Sequence, residues 1–421
     1  MTLYVCDPVC VQAFGHNVPA LVYFSQAFSD HFPDARAICC AALPPEVANR
    51  HGFIGHYRYY YQGYIPAPQA PDPEREIAED SPYADPLEAA ATEDAQRLID
   101  EQGIGPDDCL FFPSLDFYGV AGLLNALAGV PPARQPRVLL RFIGVMEHAS
   151  KRYRAPGEEL LARVRRAIRD GMRIAVSAET PRLADRLALG LRQPVTVTPY
   201  PSIAEPSDLP SDGSFVCFCP GSARLDKGFL HLHEVFRHVR EADPALSIRF
   251  VVQDLPAREA TPYQDYVSQL YSLPGMTMLG SQISEQDMHR HYRACSLVVL
   301  PYDHRTYELR GSAAMMEAVS HARPVVAFDG CAFSEQVRYF GIGTVVDGAR
   351  AMAEAILAHS REERSLLGAR ARQARHRFIG EAMDAYARWF REDTRPARPA
   401  TASGGTPRGG PAGARRAGAA S

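Results

Sequence analysis

Along most of the chain, short apolar runs alternate with segments whose apolar positions recur at helical spacing. The runs at 3–6, 35–43, 109–113, 137–143, 174–177 and 195–198 read as strands, and the segments at 18–28, 86–103 and 118–128 between them read as helices. Strand, loop, helix and strand repeated in this order predict a parallel sheet covered by helices, a doubly wound domain. The stretch 200–213, YPSIAEPSDLPSDG, is dense in Pro, Ser and Asp and reads as a linker. Beyond it the alternation resumes. Runs at 215–219, 247–252, 276–279, 296–300 and 325–328 enclose helical spacing such as Leu230, Leu232, Val235, Phe236 and Val239. The expected fold class is therefore α/β, with two doubly wound Rossmann-like domains facing one another across a cleft. The expected divisions are 1–204, 205–375, a helix at 376–393 packing back on the first domain, and a disordered tail at 394–421 rich in Pro, Gly, Ala, Ser and Arg.

Two segments interrupt this pattern. Residues 57–64, YRYYYQGY, hold five tyrosines and lead into a Pro-rich, acidic stretch to 86, together an excursion from the core. Tyrosines that pack such an excursion onto the surface are one reading, and an aromatic platform for a sugar or base is the other. Residues 151–173 carry eight Lys or Arg against three acids, with Leu160, Leu161, Val164 and Ile168 at helical spacing. A solvated surface helix and a helix resting peripherally on an anionic membrane face both have this composition.

Composition narrows the class further. With 421 residues, 46% apolar and 22% charged, the chain is long enough for two substantial cores, and a net charge of −4 gives no reason to expect nucleic acid. Nine cysteines, an odd number without a CxxC pair, read as buried thiols in a reducing compartment. The start, MTLYVCDPVC, lacks a charged segment followed by a long apolar one, and no apolar run is long enough to span a membrane. A cytoplasmic protein is expected, with peripheral contact to the inner membrane face as the variant that 151–173 raises.

Candidate chemistry concentrates in 301–330, PYDHRTYELRGSAAMMEAVSHARPVVAFDG. A strand ends at Pro301, a polar loop reaches Arg310 and Gly311, and Ser312 is an N-cap type before a helix that Pro324 stops. Free N–H groups at a helix start suit an anion, and Glu317 is the one carboxylate inside this apolar helix. Ligands of doubly wound sheets bind outside the carboxyl ends of the strands. The loop after the strand 215–219, with Arg224 and Lys227, shares that edge. Two cations and a helix N-terminus together suit a diphosphate, and Glu317 would accept from a ribose diol.

Three stretches then carry a resemblance: GSARLDKGF at 221–229, MTMLGSQISEQDMHRHYRACSLVVLPY at 276–302, and RGSAAMMEAVSHARPVVAFDG at 310–330, with Glu335 beyond. Over 213–347 the sequence resembles the GT-B retaining glycosyltransferases of family 4, the glycosyl transferases group 1. Over the first 200 residues the likeness is architectural only. The resemblance implies that Arg224 and Lys227 bind the diphosphate of a nucleotide-sugar donor. Amides near Gly311, Ser312 and Ala313 would hold its distal phosphate, Glu317 its ribose, and Gly280, Ser281 and Gln282 would lie against the nucleobase. Gly15 and His16 resemble the first-domain loop that approaches the donor. The family pattern separates two glutamates by seven residues and so requires an acid at 309. Here Leu309 occupies that position and Glu308, one place before, is the candidate. For the family's first-domain histidine the nearest candidates are Glu147 and His148 in GVMEH, and His148 is the residue assigned to it. The implied activity is retaining transfer of a sugar from a nucleotide-diphospho-sugar to a hydroxyl of a glycan, glycolipid or small acceptor, without a metal or other cofactor. Alternatives are a GT-B epimerase or hydrolase, and a catalytically silent nucleotide-sugar-binding or scaffold protein.

Overall fold

The structure is a computed structural model that describes residues 1–13, 17–28, 31–60, 63–65, 84–144, 156–199, 204–211, 213–220, 224–255 and 260–391. Its first sheet holds β1 (Thr2–Asp7), β2 (Asp34–Cys40) and β3 (Ile54–Tyr57). After a separate antiparallel hairpin of β4 (Tyr59–Tyr60) and β5 (Gly63–Tyr64), it continues through β6 (Cys109–Phe112), β7 (Arg137–Phe142), β8 (Ile174–Ala178) and β9 (Thr196–Val197). The order across the sheet is β3-β2-β1-β6-β7-β8-β9, all parallel. In β6 and β8 every residue is buried, because helices cover both faces, and this is why these strands read as continuous rather than alternating apolar runs.

The second sheet holds β10 (Phe215–Cys219), β11 (Ile248–Gln253), β12 (Met276–Leu279), β13 (Leu297–Leu300), β14 (Val325–Phe328) and β15 (Gly343–Val346). Its order is β12-β11-β10-β13-β14-β15, again all parallel. The direction of winding reverses between β10 and β13, so a crevice opens at the carboxyl ends of these two central strands. The expected pair of doubly wound, Rossmann-like domains is what the structure contains.

Strand β3 lies where the sequence reading began the tyrosine excursion. Ile54 pairs with Ile38 of β2, and Tyr57 and Tyr59 are only 4% and 2% exposed. The Tyr59 hydroxyl donates to Asp116 Oδ2 at 2.5 Å, and the buried Asp94 carboxylate accepts from the backbone N–H groups of Arg58 and Tyr59 at 2.7 Å. Both tyrosines are buried in the core, which favours packing over an aromatic platform at their positions.

A single helix, Arg364–Arg391, crosses between the domains. Arg375 Nε donates to Ser320 O at 2.7 Å in the second domain, whereas Tyr386, Trp389 and Phe390 pack among Phe24, Phe28 and Phe111 of the first. All nine cysteines are free and buried, and among the described residues no helix is long and apolar enough to cross a membrane. Within 151–173, a helix runs over Pro156–Arg169. Arg163 pairs with Glu88 at 2.9 Å and Arg165 donates to Gly190 O at 3.0 Å, so part of its charge is engaged by the protein itself.

Candidate active site

The crevice between β10 and β13 is built from two loops. The first leaves β10, passes Arg224, makes a short 3-10 turn over Leu225–Lys227 and turns sharply at Gly228, whose φ is 75°. That glycine is required twice over: its φ is left-handed, and a Cβ there would fall inside the carbonyl of Pro301 on the second loop. Asp303 N–H donates to Asp226 O at 3.0 Å, tying the loops again. Arg224 lies flat against its neighbours, with Nε and Nη2 on the Asp226 carboxylate at 3.0 and 2.9 Å and Nη2 on the Tyr307 hydroxyl at 3.2 Å. Lys227 is half-buried beside it. Burial of its ammonium, reinforced by Arg224 and opposed by Asp226, brings its pKa down from 10.5 to about 8. Arg224, Lys227, Gln253, Pro301 and Tyr302 line a cavity of only about 20 Å³, water-sized in this state.

The second loop ends at Ser312, the N-cap of the helix Ala313–Ser320, its Oγ accepting from Met315 N–H at 3.2 Å. Glu317 stands one turn inside this helix, half-buried. Gly280, Ser281 and Gln282 follow β12 on the same carboxyl edge, where Gln253 Nε2 donates to Ser281 O at 2.7 Å. The structure therefore brings Arg224, Lys227, Gly311, Ser312, Ala313, Glu317 and the 280–282 loop to one edge. Glu308 is exposed and has no hydrogen bond or ion pair among the described residues. Gly15, His16 and His148 lie outside the described residues.

Leu309 packs against the apolar core of the first domain, and its carbonyl accepts from Thr180 Oγ1 at 2.8 Å. A leucine where the pattern requires an acid thus serves as a contact between domains. The residue after β8, Glu179, was not foreseen. Its buried carboxylate accepts from Gly311 N–H at 2.8 Å and Gly144 N–H at 3.1 Å, with Arg141 Nη2 at 3.7 Å. A carboxylate oxygen here occupies the very amide expected to meet a phosphate. Arg182, three residues on, reaches Gly330 O at 2.6 Å and Glu335 at 2.7 Å, so 179–182 form the docking segment of the first domain on the second. Contacts across 35 and 132 residues define Glu179's role, and local sequence carries no sign of it.

At the first domain's own carboxyl edge, the end of β1 presents Asp7. It is 1% exposed, accepts from Asn17 Nδ2 at 2.9 Å and Val9 N–H at 3.0 Å, and burial pushes its carboxyl up to about 6. An acid directly after the first apolar run, at the end of β1, was the available signal for it.

Residues 214–361 match the family model described as glycosyl transferases group 1. No curated protein matches the sequence. Solved structures that share the fold include HepE from Anabaena in complex with UDP and glucose, 13% identical, with a TM-score of 0.59 over 92% of this chain and 96% of that one. A glycosyltransferase from Rickettsia africae is 9% identical with a TM-score of 0.57, over 91% and 98% of the two chains. The E. coli trehalose-6-phosphate protein bound with UDP-2-fluoro glucose is 10% identical with a TM-score of 0.59, over 93% and 99%. At these identities the structural likeness establishes the fold, GT-B, over nearly the whole chain. Residues 214–361 are thus similar to the glycosyl transferases group 1, within a chain of GT-B architecture.

Proposed function

We propose that this glycosyltransferase moves a sugar from a nucleotide-diphospho-sugar to a hydroxyl of a glycan, glycolipid or small acceptor with retention of configuration, and that the nucleotide is UDP. One observation carries the reading. Arg224 and the half-buried Lys227 sit at the crevice where the winding of the sheet reverses, beside the loop that ends at the N-cap Ser312. Breaking the bond between sugar and diphosphate builds negative charge on the leaving phosphate. Two cations and helix N–H groups fixed there stabilise that charge without reorganising, the largest single source of rate in such reactions. With this charge supplied by the chain, the reading assigns no metal to the diphosphate. The leaving phosphate takes the acceptor's proton as the hydroxyl attacks the same face, and Glu317 holds the ribose. UDP is chosen because HepE and the E. coli protein carry UDP or a UDP-sugar.

A panel of UDP- and GDP-sugars, assayed for nucleotide release with and without glycan acceptors, tests the donor, and the anomeric configuration of the product by NMR tests retention. Arg224→Ala and Lys227→Ala should each abolish transfer while the fold persists; full activity in both would sink the assignment. A second reading, a nucleotide-sugar binder without turnover, draws support from Leu309, which is committed to the domain interface, and from the isolated Glu308. Such a protein would be stabilised by UDP and release no nucleotide from any donor.

A further inference from the structure

Where the two domains and the crossing helix meet, the structure holds a cavity of about 520 Å³, far roomier than the water-sized space at Arg224 and Lys227. The first domain contributes Pro181 at the start of the helix Pro181–Leu191, Val197 at the end of β9, and Pro199 just beyond it. The second contributes Glu335, Gln336, Tyr339 and Phe340 of the helix Ala332–Phe340, and the crossing helix adds Glu381, Asp384 and Arg388. We propose that this cavity binds a neutral saccharide, a sugar unit of the acceptor.

A volume of this size lies within the range of about 300–1,000 Å³ in which small organic molecules bind, and the lining has the mixed character a sugar needs: apolar wall for its C–H faces and fixed polar groups for its hydroxyls. Val197, Pro199 and Phe340 supply the wall, and Tyr339 stands beside them, 58% exposed. That ring is braced. The Arg377 guanidinium stacks on it at 4.4 Å, and its hydroxyl donates to Glu381 Oε2 at 3.2 Å, so the ring loses little freedom when a guest arrives. On the polar side, Gln336 is 3% exposed. Its Nε2 donates to Glu179 O at 3.2 Å, while its Oε1 has no hydrogen-bond partner among the described residues. An orphaned acceptor in a cavity wall calls for a donor from outside the chain, and a sugar hydroxyl is one.

The charges of the lining select against an ionic guest. Glu335 pairs with Arg182 at 2.7 Å and Glu381 with Arg377 at 2.9 Å. Asp384 and Arg388 lie one turn apart on the crossing helix, both exposed and, among the described residues, without a hydrogen bond or ion pair. Each carboxylate of the lining thus has a guanidinium to offset it, and no net charge is left over for a phosphate or an amine. A carboxylate that only accepts beside a guanidinium that only donates suits neighbouring hydroxyls, which do both. The position fits an acceptor. Gln336 is bonded to Glu179, whose carboxylate accepts from the Gly311 N–H. The acceptor role rests on the transfer reading above, in which that amide meets the donor phosphate; the binding of a saccharide does not.

Saturation-transfer NMR on the full chain without nucleotide reads binding directly, with the methyl glycosides of glucose, galactose, mannose and N-acetylglucosamine and the disaccharides of each as probes. At least one should give a saturable signal. Tyr339→Ala, at an exposed position, should keep its fold by circular dichroism and bind that saccharide about five-fold more weakly. Gln336→Leu should weaken it by about the same factor, and Tyr271→Ala, an exposed tyrosine outside the cavity, should leave it unchanged. With a donor that the parent turns over, KM for the saccharide as acceptor should rise about five-fold in Tyr339→Ala while KM for the donor stays put. Saccharide binding without turnover of any donor would sink the transfer reading and the acceptor role with it, yet leave the saccharide site standing. No saccharide bound by the parent, or binding undiminished in folded Tyr339→Ala and Gln336→Leu, would overturn the site itself.

Discussion

Lys227 offers a prediction in which stability and function pull in opposite directions. Its side chain is half-buried, and its pKa falls from 10.5 to about 8 because the folded protein disfavours the charged form. A base with a depressed folded-state pKa is a penalty that is fully present below about pH 8 and is relieved as pH rises toward 10.5, since across that window the unfolded chain binds more protons. At about 1.36 kcal/mol per pH unit, the interval corresponds to roughly 3 kcal/mol. Residual solvent contact screens part of this, so about 1 to 3 kcal/mol is the working expectation. Lys227→Met keeps the aliphatic stem and removes the charge. The empty Lys227→Met protein should therefore unfold at higher denaturant than the parent at pH 7, by that amount. The gap should fall by more than half at about pH 9.5. Urea titrations of both proteins at the two pH values decide the matter. A variant that is less stable at pH 7, or a gap independent of pH, would refute the reasoning. The same variant should lose donor binding, and in the parent kcat/KM for donor should decline above about pH 8 as the ammonium loses its proton.

Three further outcomes follow from the packing. Gly228→Ala should destabilise by more than about 3 kcal/mol, because a Cβ at φ 75° meets the Pro301 carbonyl, and chemical denaturation reads this directly. Glu179→Ala leaves the N–H groups of Gly144 and Gly311 without their shared acceptor and Arg141 without its counter-charge. A loss of about 1–3 kcal/mol in the unfolding free energy is expected. Leu309→Glu restores the acid of the family pattern but drives a carboxylate into the first domain's apolar core, so the variant should be less stable and gain no turnover, measured by thermal shift and nucleotide release.

The sheets were legible because both are parallel and buried, so each strand announced itself as an apolar run and each crossover as helical spacing. The phosphate edge was legible for a related reason. In such sheets the edge follows from topology, and 220–231 and 301–312 had to meet there once β10 and β13 were neighbours. Strand β3 was hidden by its composition: IGHY is short, contains Gly and His, and runs straight into the tyrosines. In the crossing helix the first turns, from Arg364, bury only Leu367, Gly368, Ala371 and Ala374, mostly small side chains, and the aromatic anchor comes at Tyr386, Trp389 and Phe390. Glu179 and Leu309 were hidden for a deeper reason. Each takes its meaning from the other domain, and no local periodicity records which residue will lie across an interface.

That crossing helix has a mechanical consequence. The chain passes between the domains once between β9 and β10 and once through Arg364–Arg391, where the helix is anchored in the second domain by Arg375 and in the first by Trp389 and its aromatic neighbours. Two strands of covalent chain crossing the same gap act as a pair of hinge pins. Sliding or twisting of one body on the other would stretch one crossing against its companion. The rotation that leaves both intact is about the line that joins them, which makes opening and closing of the crevice the compliant motion of the molecule and leaves the register of the two facing edges fixed throughout it.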